Sequence, residues 1–460
     1  MQKKKKMEAI WSQTVFGVSK EGAEAWHRVS ITNIVSKYGS VSLAFSLLTP
    51  ADRYLAPLNV DEVLKLYCVE VVRQMQPVFD SSGPVLTTGL NAFLNPLFFH
   101  ITSRTFFGPE FPAETIYPPF MAFDGGFSRL AAAMPRIFVP QAYAGRTEVA
   151  RQLKDYIAAP HTPCGAVERI EDGALEAGLG PDDVAGYLLS ALWPLTANVG
   201  NATFWTLYLL MKDGSGGLVN LQTEIDSAVA GWKAAHAGSD PFKDAATLFA
   251  FFKASKFPYF DSLFKEVLRF TSSSNSVRRV EQDGAVLIGG EGQVFTFKED
   301  DTIMCTHRFT HFDEEVYADA HKFIPERFMA DARHTKNGKD LPNFWMAFGG
   351  GTSIVRNPLL YRGSVRADIE SITIEVFRAA SCGGGDSTRY NLVIKSLPTP
   401  IGLIGGATTC PPRSFHGRLR YRSTQGGRAC FAHQKARKGV IHQIKPYIGP
   451  RGRYIQRLHD

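Results

Sequence analysis

Glu266-Val-Leu-Arg269 sets a carboxylate and a guanidinium three residues apart, on one face of any helix that contains them. At a surface this spacing makes an ordinary ion pair worth little. Leu263, Phe264, Leu268 and Phe270 flank the pair, so partial burial is expected, and a buried pair needs a further polar partner. The segment Phe323-Ile-Pro325-Glu-Arg327-Phe328 supplies a second guanidinium that can share the Glu266 carboxylate through fork geometry. Asn198 and Asn201 place polar groups in an otherwise apolar run, and Arg278-Arg279 is a basic pair that reads as solvated unless an acidic ligand faces it. The cysteines, Cys68, Cys164, Cys305, Cys382, Cys410 and Cys430, form no Cys-x-x-Cys pair, and no clustered His supports a zinc site. In a chain of this size such usage suggests a reducing compartment without a disulfide framework.

Helices must position these groups. Residues 7–160 read as several short helices between Pro/Gly turns. Among them are Val60 to Met75, bounded by Pro57 and Pro77, and Thr88 to Phe107, stopped by Gly108-Pro109. Residues 161–180 read as a loop. Pro181, Asp182 and Asp183 open a long helix reaching Met211, with the acids suited to the helix dipole. It is apolar nearly all round and so belongs inside a core. Pro194 and Gly200 predict a kink or opening near its middle. The segment is then a kinked core helix or, with Asn198 and Asn201, a ligand-facing wall. Tyr259 to Phe270 reads as helix, and Ser276 to Val280, Ala285 to Ile288 and Gln293 to Phe297 as strands. The pattern breaks at Gly383-Gly-Gly, Pro398-Thr-Pro400 and Pro411-Pro412, and from Gly426 onward the chain is polar, basic and aperiodic, as unstructured tails are.

With 44% hydrophobic residues and 33 Phe the chain can bury a substantial core. No apolar run of about 18 residues is present to form a membrane-spanning helix. The net charge of +7 is unevenly spread, because residues 355–460 hold 18 of the 51 Lys and Arg but 5 of the 44 Asp and Glu. That segment carries +13 and the remainder −6, a composition shift that marks two segments of different origin or role.

The change follows Phe348-Gly-Gly-Gly-Thr-Ser-Ile354, which resembles the haem-binding loop of the cytochrome P-450 family, Phe-Gly-x-Gly-x-x-x-Cys-x-Gly, up to the residue before the cysteine. The Glu-x-x-Arg helix, the Pro-Glu-Arg-Phe segment and this loop occur in the family's order and roughly its spacing, and an ordered set is far more specific than any one motif. Asp261 to Ser274, Val277-Arg278 and Thr310 to Tyr317 resemble the branch containing sterol 7α- and 12α-hydroxylases and prostacyclin synthase. So do Leu192-Trp193, Ala197-Asn198 and Ala202 to Trp205 in the long helix. The similarity covers roughly residues 12–354.

The resemblance implies a mainly α fold with small β-sheets, the cytochrome P-450 fold, incomplete. The domain would span 7–422, with the match over 12–354, an altered segment at 355–397, C-terminal strands at 398–422 and a basic tail at 423–460. The match begins near the family's second or third helix, so the anchor, first helix and first strands are expected upstream of Met1. Haem is the implied cofactor. Arg278 would meet a propionate, Phe348, Gly349, Gly351, Thr352 and Ser353 would lie at the haem loop, and Glu266, Arg269 and Arg327 would form a structural triad. Asn198 would face the substrate, while Gly200 and Asn201 stand where relatives outside this branch carry an acid and Thr that protonate bound oxygen. The expected partners are an apolar substrate, such as a sterol or fatty acid, and an electron-donating reductase. No nucleic acid is expected, since the basic tail lacks interleaved aromatics. The family points to the endoplasmic reticulum membrane, and without the anchor a cytoplasmic location stays open.

The position of the family's axial cysteine is Val355, followed by Arg356 and Asn357 instead of Pro and Gly. Cysteinate pushes electron density onto iron, and valine has no lone pair. Cys410, within Leu403 to Arg413, faintly echoes a haem loop and is a weak substitute, and Cys382 lacks any such loop upstream. For the helix that should follow the ligand there is only Ala367 to Phe377, rich in β-branched residues. Three readings follow: a monooxygenase impaired at Val355, an inactive pseudoenzyme or mis-spliced product without haem-thiolate chemistry, or an isomerase of lipid hydroperoxides or endoperoxides.

Overall fold

The computed structural model describes residues 12–24, 57–81, 87–213, 216–272, 275–280, 282–288, 294–330 and 333–349, together with strands at 393–394 and 441–443. Apolar stripes at helical spacing dictate most of the architecture. In α1 (Pro57–Ser81), Leu64, Tyr67, Cys68, Val71 and Met75 recur at steps of three and four residues and are buried. α2 (Leu90–Phe107) ends at Gly108, whose φ of 88° is one glycine adopts without penalty. α3 (Ala113–Asp124), the short α4 (Phe127–Ala131), α5 (Pro140–Ala158) and α6 (Gly165–Glu176) build one core with Val15, Phe16 and Val18.

α7 (Pro181–Asp213) runs 33 residues, about 50 Å at 1.5 Å per residue. Its first half, Val184 to Leu192, packs in that core. Its second half, Val199 to Leu210, packs in another core with α1, α8 (Gly217–Ala235), α9 (Ala245–Ala254) and α10 (Pro258–Thr271). The helix is therefore an axis shared by both cores.

Close approach of α3 and α5 depends on Gly145, where an added Cβ would sit 2.5 Å from the Pro119 carbonyl oxygen and 2.8 Å from the Phe123 nitrogen. Both are main-chain atoms and cannot swing aside. Gly145→Ala should lower stability by about 1–2 kcal/mol, overpacking outweighing the gain in helix propensity. A urea midpoint equal to or above that of the parent protein would refute this.

The sheets are small. Strands β1 (Thr87–Thr88), β2 (Asn275–Arg279), β3 (Ala285–Ile288), β4 (Val294–Phe297), β5 (Thr302–Thr306), β6 (Thr335–Lys336), β7 (Lys339–Asp340), β8 (Val393–Ile394) and β9 (Ile441–Gln443) lie around the helices. β2 pairs antiparallel with β5, setting Arg278 opposite Ile303, and β9 lies parallel on the other edge of β5. β3 pairs with β4 and β6 with β7, both antiparallel, and β1 with β8 in parallel.

Several expectations are revised. Residues 161–180 are not all loop, because α6 lies within them and buries Val167, Ile170 and Ala174 on one face, a helical repeat set among Gly and acidic residues. α1 continues past Pro77, expected as its boundary, to Ser81, while α7 runs as the one long helix expected, through Pro194 and Gly200 to Asp213. The tail from 423 contributes β9, whose Ile441-His-Gln backbone completes a parallel pairing with β5. Gly351, Thr352, Ser353, Val355, Cys382, Cys410, the Ala367 to Phe377 candidate helix and the expected strands at 398–422 lie outside the described residues. No described helix is long and apolar enough to cross a membrane.

Candidate functional site

α10 carries the ion pair. Glu224 on α8 accepts from the Tyr259 and Phe260 N–H groups at 2.7 and 2.9 Å, satisfying donors that a helix N-terminus leaves open. Two turns later Glu266 and Arg269 are both fully buried. Arg269 Nε donates to Glu266 Oε2 at 2.7 Å and Nη2 to Oε1 at 2.9 Å. Arg327 Nε donates to both carboxylate oxygens at 3.1 Å, and the Ile324 N–H adds a bond to Oε1 at 3.0 Å. The carboxylate is saturated with donors, as a buried anion must be.

One carboxylate cannot neutralise two guanidiniums, so the remaining charge is spread over carbonyl dipoles. Arg269 donates to the carbonyl oxygens of His311, Ala320 at 2.9 Å and Lys322 at 3.2 Å. Arg327 donates to those of Ala318 at 2.5 Å, Asp319 at 3.0 Å and Lys322 at 3.1 Å. Tyr317 lies against both, its ring centroid 5.1 Å from the Arg269 guanidinium and 5.9 Å from that of Arg327. A chain segment with little regular structure is thereby fastened to α10. Ser262 adds a further clasp, donating to the Pro325 carbonyl at 2.6 Å and accepting from the Phe328 N–H at 2.9 Å.

The segment leads into the Gly-rich loop. Gly349 N–H donates to the Met346 carbonyl at 3.0 Å, closing a turn, and Gly349 takes φ 81°. Phe348 packs edge-on against Trp345 with centroids 5.3 Å apart. Nearby, Ser276 Oγ and His307 Nε2 are 2.9 Å apart. Arg278 is the fourth of the five residues of β2, with its side chain outside the described residues.

On α7, Asn198 and Asn201 fall on the stripe Pro194, Ala197, Asn198, Asn201, Phe204 and Tyr208, which the two cores leave partly uncovered, Asn201 being exposed. Their amides turn back onto the helix, Asn198 Nδ2 to the Pro194 carbonyl at 3.3 Å and Asn201 Nδ2 to the Ala197 carbonyl at 2.8 Å. Gly200 lies where α2 crosses closely, a Cβ there falling 3.0 Å from Asn95 Oδ1. The geometry thus unites Glu266, Arg269 and Arg327. It sets Phe348 and Gly349 in the loop that the same segment leads into, and Asn198 and Asn201 together on the central helix. Glu224, Ser262, His311 and Trp345 were not singled out from sequence. Their partners are distant in the chain, and only the N-terminal start of α10 at Pro258 hints that a capping carboxylate is needed.

The helical arrangement is that of the cytochrome P450 fold. A retinoic acid bound cyanobacterial CYP120A1 superposes with a TM-score of 0.51 over 78% of this chain and 75% of that one, at 18% identity. A cytochrome P450 described as CYP102L1 gives a TM-score of 0.51 over 77% of each chain, also at 18% identity. The Cytochrome P450 family model matches residues 176–354. Cytochrome P450 7A1 of Rattus norvegicus is 26% identical over 290 residues, 59% of this chain and 56% of the relative. Cholesterol 7-alpha-monooxygenase of Cricetulus griseus is 27% identical over 58% of this chain and 55% of its own length, and prostacyclin synthase of Homo sapiens 29% over 38% and 35%. Residues 176–354 thus carry a match to the cytochrome P450 family, and the curated relatives place the resemblance in the branch of the sterol hydroxylases and prostacyclin synthase. It spans about half the length of the curated relatives it matches.

The family's cofactor is haem. The described residues include Phe348 and Gly349, the start of the loop that resembles the family's haem loop, and the sequence carries Val355, which offers no donor, where that resemblance expects the axial cysteine. A thiolate-ligated haem does not fit the donor set of this sequence at its expected place. No catalytic step can be assigned through it.

Proposed function

We propose that the chain carries the scaffold of a haem-dependent monooxygenase for a sterol, fatty acid or other apolar small molecule, and that Val355 impairs its haem-thiolate chemistry. The observation carrying the first part is the Glu266–Arg269–Arg327 cluster, which fastens the segment leading into the Phe348-Gly-Gly-Gly-Thr-Ser loop. In this reading Arg278 would pair with a propionate, Gly351, Thr352 and Ser353 would continue the loop, and the Asn198–Asn201 stripe would face the substrate. An electron-donating reductase would be the partner, and the endoplasmic reticulum membrane the site of action, as the resemblance implies. The alternative, a pseudoenzyme without haem-thiolate chemistry, is favoured by the same Val355.

The test is spectroscopic. Protein reconstituted with haem, reduced and exposed to CO should lack the shifted Soret band of a thiolate ligand. Appearance of that band would overturn the impairment and show that some other cysteine supplies the ligand, Cys410 being the first to replace.

A further inference from the structure

Three consecutive residues before the Gly-rich loop are each held by a different distant group. The Tyr317 hydroxyl donates to the Phe344 carbonyl at 2.9 Å. Trp345 Nε1 donates to the Lys265 carbonyl on α10 at 3.0 Å. The Met346 N–H donates to Nε2 of His311, in the one-turn helix α11 (Arg308–His311), at 3.0 Å. Met346 and His311 are both buried, 3% and 0% exposed, so water cannot substitute in that last bond.

Two of the attachments of His311 lead to different parts of the fold. Its main-chain carbonyl accepts from Arg269, and its ring accepts from Met346. The first belongs to the triad and survives any substitution of the side chain. The second reaches the loop alone. We infer that His311 is the positioning residue that couples the triad to the haem loop, holding the Met346–Gly349 turn in place as a neutral ring acceptor whether or not haem is bound. The coupling does not rest on haem-thiolate chemistry, and its failure would leave the proposed function standing.

For Nε2 to accept, the ring must be neutral with its proton on Nδ1. Burial, then Arg269 on α10, His307 at the start of α11 and Arg308 within it, push the His311 pKa down to about 3, and the Arg269 main-chain carbonyl, which favours a protonated ring, does not reverse this. The ring therefore keeps its lone pair across the range where an exposed histidine gains a proton.

Hydrogen exchange on the full chain without haem tests the inference, following the Met346 amide against α10 amides such as Val267 and Leu268. His311→Ala should reduce protection at Met346 roughly tenfold while α10 is unchanged, the scale of one lost buried hydrogen bond. His311→Gln places an amide oxygen near the position of Nε2 and should restore protection to within about threefold of the parent. Equal loss in both variants would mean that ring shape, not the acceptor, matters, and no loss in either would mean that the bond holds nothing; both overturn the inference. Should His311→Ala fail to fold, the parent protein decides: Met346 protection should stay level between pH 7.5 and 5, and a fall along a histidine titration would overturn the inference.

Discussion

Glu266→Ala removes the cooperative folded state of the domain. The carboxylate is the anion against which two buried guanidiniums are set, and it accepts five hydrogen bonds, from Arg269, Arg327 and the Ile324 N–H. Deleting one partner of a buried ion pair costs about 3–5 kcal/mol, because the charge left behind keeps its desolvation penalty without its counterion. Here two cations are left, against a typical domain stability of about 5–15 kcal/mol. Glu266→Gln should be milder, since the amide oxygen still accepts while the amide NH2 faces donors. Arg269→Lys should be harsh despite keeping the charge, because one ammonium cannot reach the carboxylate and the carbonyls of His311, Ala320 and Lys322 together. Near-ultraviolet circular dichroism and urea unfolding measure all three. A Glu266→Ala protein within about 1 kcal/mol of the parent would show that the cluster contributes little, as exposed pairs do.

How far the sequence disclosed this arrangement depends on chain separation. Glu266 and Arg269 are three apart, so their shared face follows from helix geometry alone. α10 and the strands at 275–279 and 285–288 were similarly legible from local pattern and turn residues. α6 was hidden because glycine and acidic residues dominate it, although Val167, Ile170 and Ala174 carried the repeat that buries it. Pro77 reads as a helix boundary, yet α1 continues to Ser81, whereas Pro194 falls inside the single long helix that its surroundings already predict. His311, Trp345 and Ser262 find partners 35 to 80 residues away. Nothing in local periodicity encodes such contacts. They emerge only when the segment after β5 folds back over α10.

Val355→Cys alone will not produce the thiolate signature. A cysteine there regains the lone pair that valine lacks, and Arg356 beside it would favour the anion. Holding a thiolate on iron takes more than the sulfur. In the family the helix after the cysteine points its N-terminus at the sulfur, a dipole that helps keep it ionised. In this chain Arg356-Asn357 replaces Pro-Gly, and the nearest candidate helix, Ala367 to Phe377, is rich in Ile, Thr and Val, residues stiff at χ1 that favour strands. The charge balance also turns at this point, from −6 over residues 1–354 to +13 beyond. The composition shift thus points to a different segment from Val355 on, and changing one side chain leaves that segment in place. The reduced, CO-treated spectrum of the Val355→Cys protein should match the parent. If the shifted Soret band appears instead, the scaffold up to Gly349, with its approach held by Tyr317, the Lys265 carbonyl and His311, is competent as it stands, and one missing sulfur separates it from its relatives.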